Sequence, residues 1–308
     1  MSSTTAPMQP APELLAATAL LDYDAPSIRR LIEQRGWRNL EPDERIGVVY
    51  DYVRNEIDFG YNTDDDVPAS RVLADGYGQC NTKATLLMAL LRAVEIPCRF
   101  HAATIDRRLQ KGIVPSVVYP LAPSEILHAW VEVQIDAEWR RLEGVILDDE
   151  YLDGLRCRLG RPTGELLGYA VGTNDVERPD IDWVGDHTEI QMTGVTRDLG
   201  PHDDPDTYYR TAGTNLRGLK VFLYQRLIRH LMNRTVTSIR RNSADTSGHP
   251  SRCQGCHGTK LESTPRWLSG SVSVGEESHR GEPEADGGEH RSGQPADDPG
   301  RPGDRPEV

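Results

Sequence analysis

Residues 81–95, NTKATLLMALLRAVE, constrain the chain more than any other stretch. Leu86, Leu87, Leu90, Leu91 and Val94 recur at helical spacing and make an apolar face too wide for a surface helix. Such a helix must be covered by other elements, so the fold has to be built around it. Pro97 ends it. Immediately before it, Ala74-Asp75-Gly76-Tyr77-Gly78-Gln79-Cys80 is a glycine-rich loop that delivers a cysteine to the helix start.

The elements around this helix follow from pattern. Residues 42–57, PDERIGVVYDYVRNEI, read as a helix with Pro42 and acids in its first turn and Ile46, Val49, Tyr50 and Val53 at helical spacing. Residues 12–35 suggest short helices, and 58–78, rich in Gly, Asp and Asn, read as loop. CRFHAATID, from Cys98, reads as a strand. ILHAWVEVQID and EWRRLEGV read as two more, joined by the turn Asp136-Ala137-Glu138. Along the first of these, Ala129, Val131 and Val133 face one way and His128, Trp130 and Glu132 the other. A buried helix followed by an antiparallel sheet is an α+β order. Residues 150–206 offer few apolar runs and are expected to be irregular cover, whereas 214–241 are helical again.

Cys80 is the chemically pointed residue. At a helix start, unspent backbone N–H groups and the positive dipole end suit a negatively charged sulfur, and the same groups can hold an oxyanion. Gly76 and Gly78 would let a substrate approach the backbone closely. A nucleophilic thiol needs a base, and His128 at the head of a strand can be aimed at it. In the hairpin, residues whose numbers sum to about 273 stand opposite each other, a consequence of antiparallel pairing. Glu143 then falls close to His128 and can orient its imidazole. Gln79 is either an oxyanion donor or a solvent-facing loop residue. Tyr61 and Tyr77 either line a cleft or, the preferred reading, pack against the loop.

These residues carry a resemblance. ASRVLADGYGQCNTKATLLMALLRAVEIPCRFH, ILHAWVEVQIDAEWRRLE and the upstream VYDYVRNEIDFGY resemble the cysteine segment, the histidine hairpin and the preceding helix of the transglutaminase-like superfamily, over about residues 40–145. The resemblance implies a papain-like core in which a central helix carrying the nucleophile packs on an antiparallel sheet. It also implies Cys80 as nucleophile, His128 as base and Glu143 in the third place. The family usually has Asp there, often before Pro, whereas this chain has Glu143-Gly144; Asp148 and Asp149 are the fallback candidates. The implied reaction is acyl transfer on a carboxamide or peptide bond through a thioester, with hydrolysis favoured over amine cross-linking. The alternative is a catalytically silent binding module of the same fold.

The rest of the chain bounds this reading. The expected organisation is a loose tail over 1–11, the core domain over 12–170, an irregular extension over 171–241 ending in a basic amphipathic helix, and a disordered acidic tail over 242–308, where the sequence loses periodicity. A net charge of −13 argues against nucleic-acid binding; a peptide or protein substrate is the partner that the resemblance implies. Five cysteines at irregular spacing are no disulfide framework, and no signal peptide or transmembrane segment is legible, so a cytoplasmic location is expected. Cys98 reads as a small apolar core residue, and Cys157 has no nameable partner. Asp64, Asp65 and Asp66 read as a solvated loop, not a cation site. Cys253, Cys256 and His257 fit a haem-attachment or zinc pattern that nothing around them supports, so neither cofactor nor metal is expected. Residues 207–244 hold eight basic residues and no acid. Their helix can touch an anionic membrane weakly; the preferred reading packs its leucines, Leu216, Leu219, Leu223, Leu227 and Leu231, on the core and its arginines on the protein's own acids.

Overall fold

A computed structural model describes residues 11–215 and 219–248. Helix α1 (Pro26–Arg35) opens on a proline and closes on Gly36, whose φ of 66° is the left-handed cap that glycine takes without strain. Helix α2 (Pro42–Asn55) opens the same way. Strands β1 (Asp58–Phe59) and β2 (Tyr77–Gly78) pair in parallel, and α3 (Ala69–Asp75) lies between them in sequence. The expected loop over 58–78 is therefore corrected. α3 escaped notice because it is under two turns long and buries only Ala69 and Val72.

Helix α4 (Cys80–Ala93) is buried at every residue, as its apolar face required. Lys83 is also fully buried there. Its ammonium donates to the carbonyls of Arg54 (3.0 Å) and Ile57 (2.8 Å), tying α4 to the end of α2.

Strands β3 (Cys98–Asp106), β4 (Glu125–Ile135) and β5 (Glu138–Arg141) form an antiparallel sheet. The hairpin register pairs Ile135 with Glu138 and Glu132 with Arg141, as the numbering rule expected. The turn is Asp136-Ala137 alone, both at positive φ (50° and 66°), which matches the strands' twist. The alternation along β4 holds, but it does not sort buried from exposed: residues 128–133 are all buried. Ala129, Val131 and Val133 join the core, while His128, Trp130 and Glu132 are covered on the other face.

Helix α5 (Asp149–Arg158), strands β6 (Leu166–Gly168) and β7 (Val171–Thr173), strand β8 (Val195–His202) and helix α6 (Pro205–Ala212) occupy the stretch expected to be irregular. β8 completes the sheet in the order β5-β4-β3-β8, so the presumed extension contributes to the core sheet. Its own side chains are largely exposed and polar, and it is held by backbone pairing to β3, which leaves no apolar pattern to read. Register shifts at Ala102/Ala103 and Thr104/Ile105 bend this edge.

The C-terminal helix begins with α7 (Leu219–Leu223), passes through a π-helical turn at Tyr224–Ile228 and continues as α8 (Arg229–Gly248). It thus runs beyond residue 241, into the stretch expected to be disordered. Its buried side chains are Met232, Val236 and Ile239, whereas Leu223 and Leu227 are exposed, which corrects the expected leucine face. Arg240 does pair with the protein's own acids, Asp148 at 2.5 Å and Asp58 at 3.3 Å. No helix among the described residues is long and apolar enough to cross a membrane. The tail over 1–10 and the cysteine-histidine motif at Cys253, Cys256 and His257 lie outside the described residues.

Candidate active site

Cys80 is the first residue of α4. Gly78 sits against that helix: a Cβ there would meet Thr82 Oγ1 at 2.7 Å and Lys83 Cγ at 2.9 Å. Its missing side chain thus serves the seating of the helix start, not the approach of a substrate. Gly76 supplies the left-handed cap of α3 at φ 70°. Cys80 is 9% exposed, and its Sγ lies 3.6 Å from Asn81 Oδ1.

β4 carries His128, whose side chain is fully buried. Glu143 lies beyond the hairpin ladder, at the start of a short 3-10 turn over Glu143–Ile146, and is also fully buried. His128 Nε2 is 3.1 Å from Glu143 Oε1. The approach is within ion-pair distance but off line, and neither ring nitrogen has an in-line hydrogen-bond partner among the described residues. Burial alone would lower the pKa of His128. The Cys80 thiol and the Glu143 carboxylate beside the ring outweigh it and raise the pKa to about 9. The carboxylate is fixed from behind, accepting from the backbone N–H of Ile190 and, at 3.1 Å, of Gln191. Nothing in the sequence around residue 190 pointed to this clamp.

The other candidates fall elsewhere. Asp148 caps α5 by accepting from Tyr151 N at 2.8 Å, accepts from Phe59 N at 2.8 Å and pairs with Arg240. Asp149 pairs with Arg54. Both acids are thus spent on structural partners. Gln79 is neither solvent-facing nor free: its amide oxygen accepts from Asn62 N at 2.8 Å and its Nε2 donates to Asp64 O at 3.3 Å. Tyr77 packs over Gly60, as preferred. Tyr61, against the preferred reading, lines the cavity next to Cys80, with its hydroxyl donating to Gln110 Oε1 at 2.9 Å. Cys98 is fully buried in the core, and Cys157 lies on α5.

Three features escaped the sequence reading. Asp65, expected in a solvated loop, is buried and accepts from Asn81 Nδ2 (2.9 Å), Asn215 N (3.0 Å) and Asn215 Nδ2 (2.8 Å). The adjacency of Asn81 to Cys80 was the only hint of it. His101 stacks on Trp130 at 4.3 Å between ring centroids, with its nitrogens on Glu132 (3.0 Å) and Asp198 (2.7 Å). Trp130 in turn lies 5.7 Å from the His128 ring, backing it from the neighbouring position on the same strand. The third feature is a cavity of about 300 Å³ with Cys80 in its wall. No cluster of His, Cys, Asp and Glu able to hold a metal occurs among the described residues.

Comparison with known proteins bears on this region. The family model of the transglutaminase-like superfamily matches residues 33–144. No curated protein matches the chain. A solved structure, "Putative Cysteine Protease from Cytophaga hutchinsonii", aligns at 15% identity and a TM-score of 0.38, covering 67% of this chain and 50% of that one. The chain thus spans about half the length of that protein. The family match runs from the end of α1 through α2, α4 and the β3-β4-β5 sheet, and it contains Cys80, His128 and Glu143. Over that stretch, residues 33–144, the chain is similar to the transglutaminase-like superfamily.

Proposed function

We propose that the protein is a cysteine-dependent hydrolase of carboxamide or peptide bonds, with Cys80 as nucleophile, His128 as base and Glu143 as the residue that orients the base. One observation carries the reading: a fully buried imidazole stands beside both the Cys80 thiol and a backbone-clamped carboxylate, 3.1 Å from the latter.

The chemistry runs in two halves. The raised pKa of His128 leaves its ring protonated at neutral pH, so the Cys80 proton already rests on His128 when Cys80 Sγ attacks the carbonyl carbon. The carbonyl oxygen takes the negative charge, and the N–H groups of Cys80 and Asn81 are suited to receive it, because the first turn of a helix leaves its donors without intrahelical partners. As the C–N bond breaks, His128 returns the proton to the departing amine, leaving a thioester on Cys80. Water, deprotonated by His128, then attacks the thioester, releasing the acid and regenerating the thiol. An amine in place of water would give transfer.

The test is the identity of the products. Wild type, Cys80→Ala and His128→Ala are incubated with a peptide-amide library, with and without an amine acceptor, and products are identified by mass spectrometry. Hydrolysed products from wild type alone support the reading. Equal, background-level products from all three proteins overturn it.

A further inference from the structure

The cavity at Cys80 has a composition that selects what the nucleophile meets. Its wall is built from Ile126 and Leu127 at the start of β4, Val118 and Leu121 from the connection before it, and Val221 and Ile228 from the C-terminal helix. The polar side chains that reach it are largely spent. Asp65 is held by Asn81 and Asn215, Tyr61 by Gln110, and Gln79 by the 62–65 loop. A charged side chain placed there would lose its hydration, and Asp65 is already taken up by Asn81 and Asn215. The acids Asp64 and Asp65 in the wall disfavour an anion, and Lys220, which also lines it, is exposed to solvent.

The mouth has the same character. Leu121 and Leu223 both line the cavity and are exposed, at 69% and 42%. Phe222 and Leu227, next to Leu223 on the same helix, are exposed as well. Exposed large apolar residues clustered around a concave site mark a binding surface. The π-helical turn at Tyr224–Ile228 contributes Tyr224 to the wall beside Ile228, and such turns recur at functional sites.

Resting on the reading of Cys80 as an acyl-transfer nucleophile, we infer that the acyl side of the substrate is a peptide with a large uncharged apolar residue, of the size of leucine or phenylalanine, seated in this cavity. Its flanking residues lie along the rim of Leu121, Phe222, Leu223 and Leu227. The cavity is at the low end of the range for small-ligand sites, which fits one side chain and its backbone better than a whole cofactor.

The experiment uses the full chain. Binding of N-acetyl dipeptide amides to Cys80→Ala is measured by calorimetry, with Phe, Leu, Glu or Lys at each position in turn. The expected result is at least about tenfold tighter binding of Phe and Leu than of Glu and Lys at one position, in line with what a hydrophobic pocket discriminates. Val221→Trp and Ile228→Trp, which fill the cavity, are expected to abolish that preference. In parallel, wild type is treated with chloromethyl ketones of the same dipeptides, and the Cys80 adduct is followed by mass. Equal binding of all four side chains, or no binding of any, overturns the cavity inference even where Cys80 alkylates readily. Selective binding to Cys80→Ala with no adduct on wild type instead supports the cavity and overturns the nucleophile. The wild-type and Cys80→Ala arms decide the matter even where a filled variant fails to fold.

Discussion

His128 Nε2 and Glu143 Oε1 lie 3.1 Å apart, although one residue is on a strand and the other on the turn that leaves the hairpin. Glu143 is held there by the N–H groups of Ile190 and Gln191. Glu143→Gln removes the charge that helps to raise His128 and leaves a single side-chain oxygen to accept from those donors. The imidazole pKa is expected to drop from about 9 toward its ordinary value. Hydrolysis is expected to fall by about 100-fold or more, the scale of a lost acid–base contribution. Nuclear magnetic resonance titration of the His128 ring reads the first effect and rate assays the second. Glu143→Asp is expected to recover part of both. A variant that hydrolyses at the wild-type rate with an unmoved imidazole titration removes Glu143 from the positioning role.

The raised pKa of His128 also predicts a pH dependence. Because the folded value, about 9, exceeds the ordinary 6.5, the stability contributed by the protonated ring is complete below about pH 6.5 and is lost as pH rises through 9. Lys83 acts in the opposite sense. Burial lowers its pKa from 10.5 to about 7, so below pH 7 the folded state must carry a costly buried charge, and stability rises between pH 7 and 10.5. His101, raised by its bonds to Glu132 and Asp198 against the effect of burial, adds to the His128 trend. Chemical denaturation of wild type from pH 6 to 10 should therefore vary less than that of Lys83→Met, in which only the falling terms remain. Parallel profiles for the two proteins would rule out this opposition.

Asp148 offers a contrast with Glu143, since sequence alone made both candidates for the third place. Its pKa is lowered because the bonds from Arg240 and the neighbouring positive charges outweigh burial. Its stabilising contribution is thus present above about pH 3.8 and lost as pH falls through the lower folded value. Asp148→Asn leaves Arg240 short of its main partner, and breaking a buried pair in this way costs about 3 kcal/mol. The expected outcome is a lower denaturation midpoint at pH 7 with the His128 titration unchanged. A shift of the imidazole titration comparable to that in Glu143→Gln would return Asp148 to the site.

What could be read from the chain, and what could not, divides by the range of the interactions. α4, β3 and the hairpin carry their own periodicity, Cys80 opens α4 and His128 lies within β4, so local pattern sufficed to place both. The pairing rule even located Glu143, although it reaches His128 from a turn and not from the ladder. β8 has no apolar alternation because backbone pairing with β3 holds it, and α3 is too short for a period to show. The buried stripe of the C-terminal helix is Met232, Val236 and Ile239 and not the leucines, because tertiary contact with α5 selects the face. The clamp on Glu143 and the wall of the cavity join residues more than 45 positions apart, and no local pattern encodes such meetings.

That contact between α5 and the C-terminal helix supports the last prediction. A Cβ at Gly154 would stand 2.2 Å from the carbonyl oxygen of Ile239 and 3.1 Å from the Cα of Arg240, so the two backbones touch where glycine allows them to. Gly154→Ala cannot be relieved by a side-chain rotation, because the obstructing atoms are backbone; α8 has to move outward. Overpacking of this kind costs about 1–3 kcal/mol, partly offset by the better helix propensity of alanine. The same helix carries Ile228 and Met232 into the cavity wall, so its displacement should open the site. Gly154→Ala is therefore expected to lower the denaturation midpoint and to let bulky alkylating reagents reach Cys80 faster, with the rate for iodoacetamide changed less. Midpoints from chemical denaturation and alkylation rates from intact-protein mass spectrometry check both effects. Wild-type stability together with wild-type reagent selectivity would show that α8 is not held at Gly154.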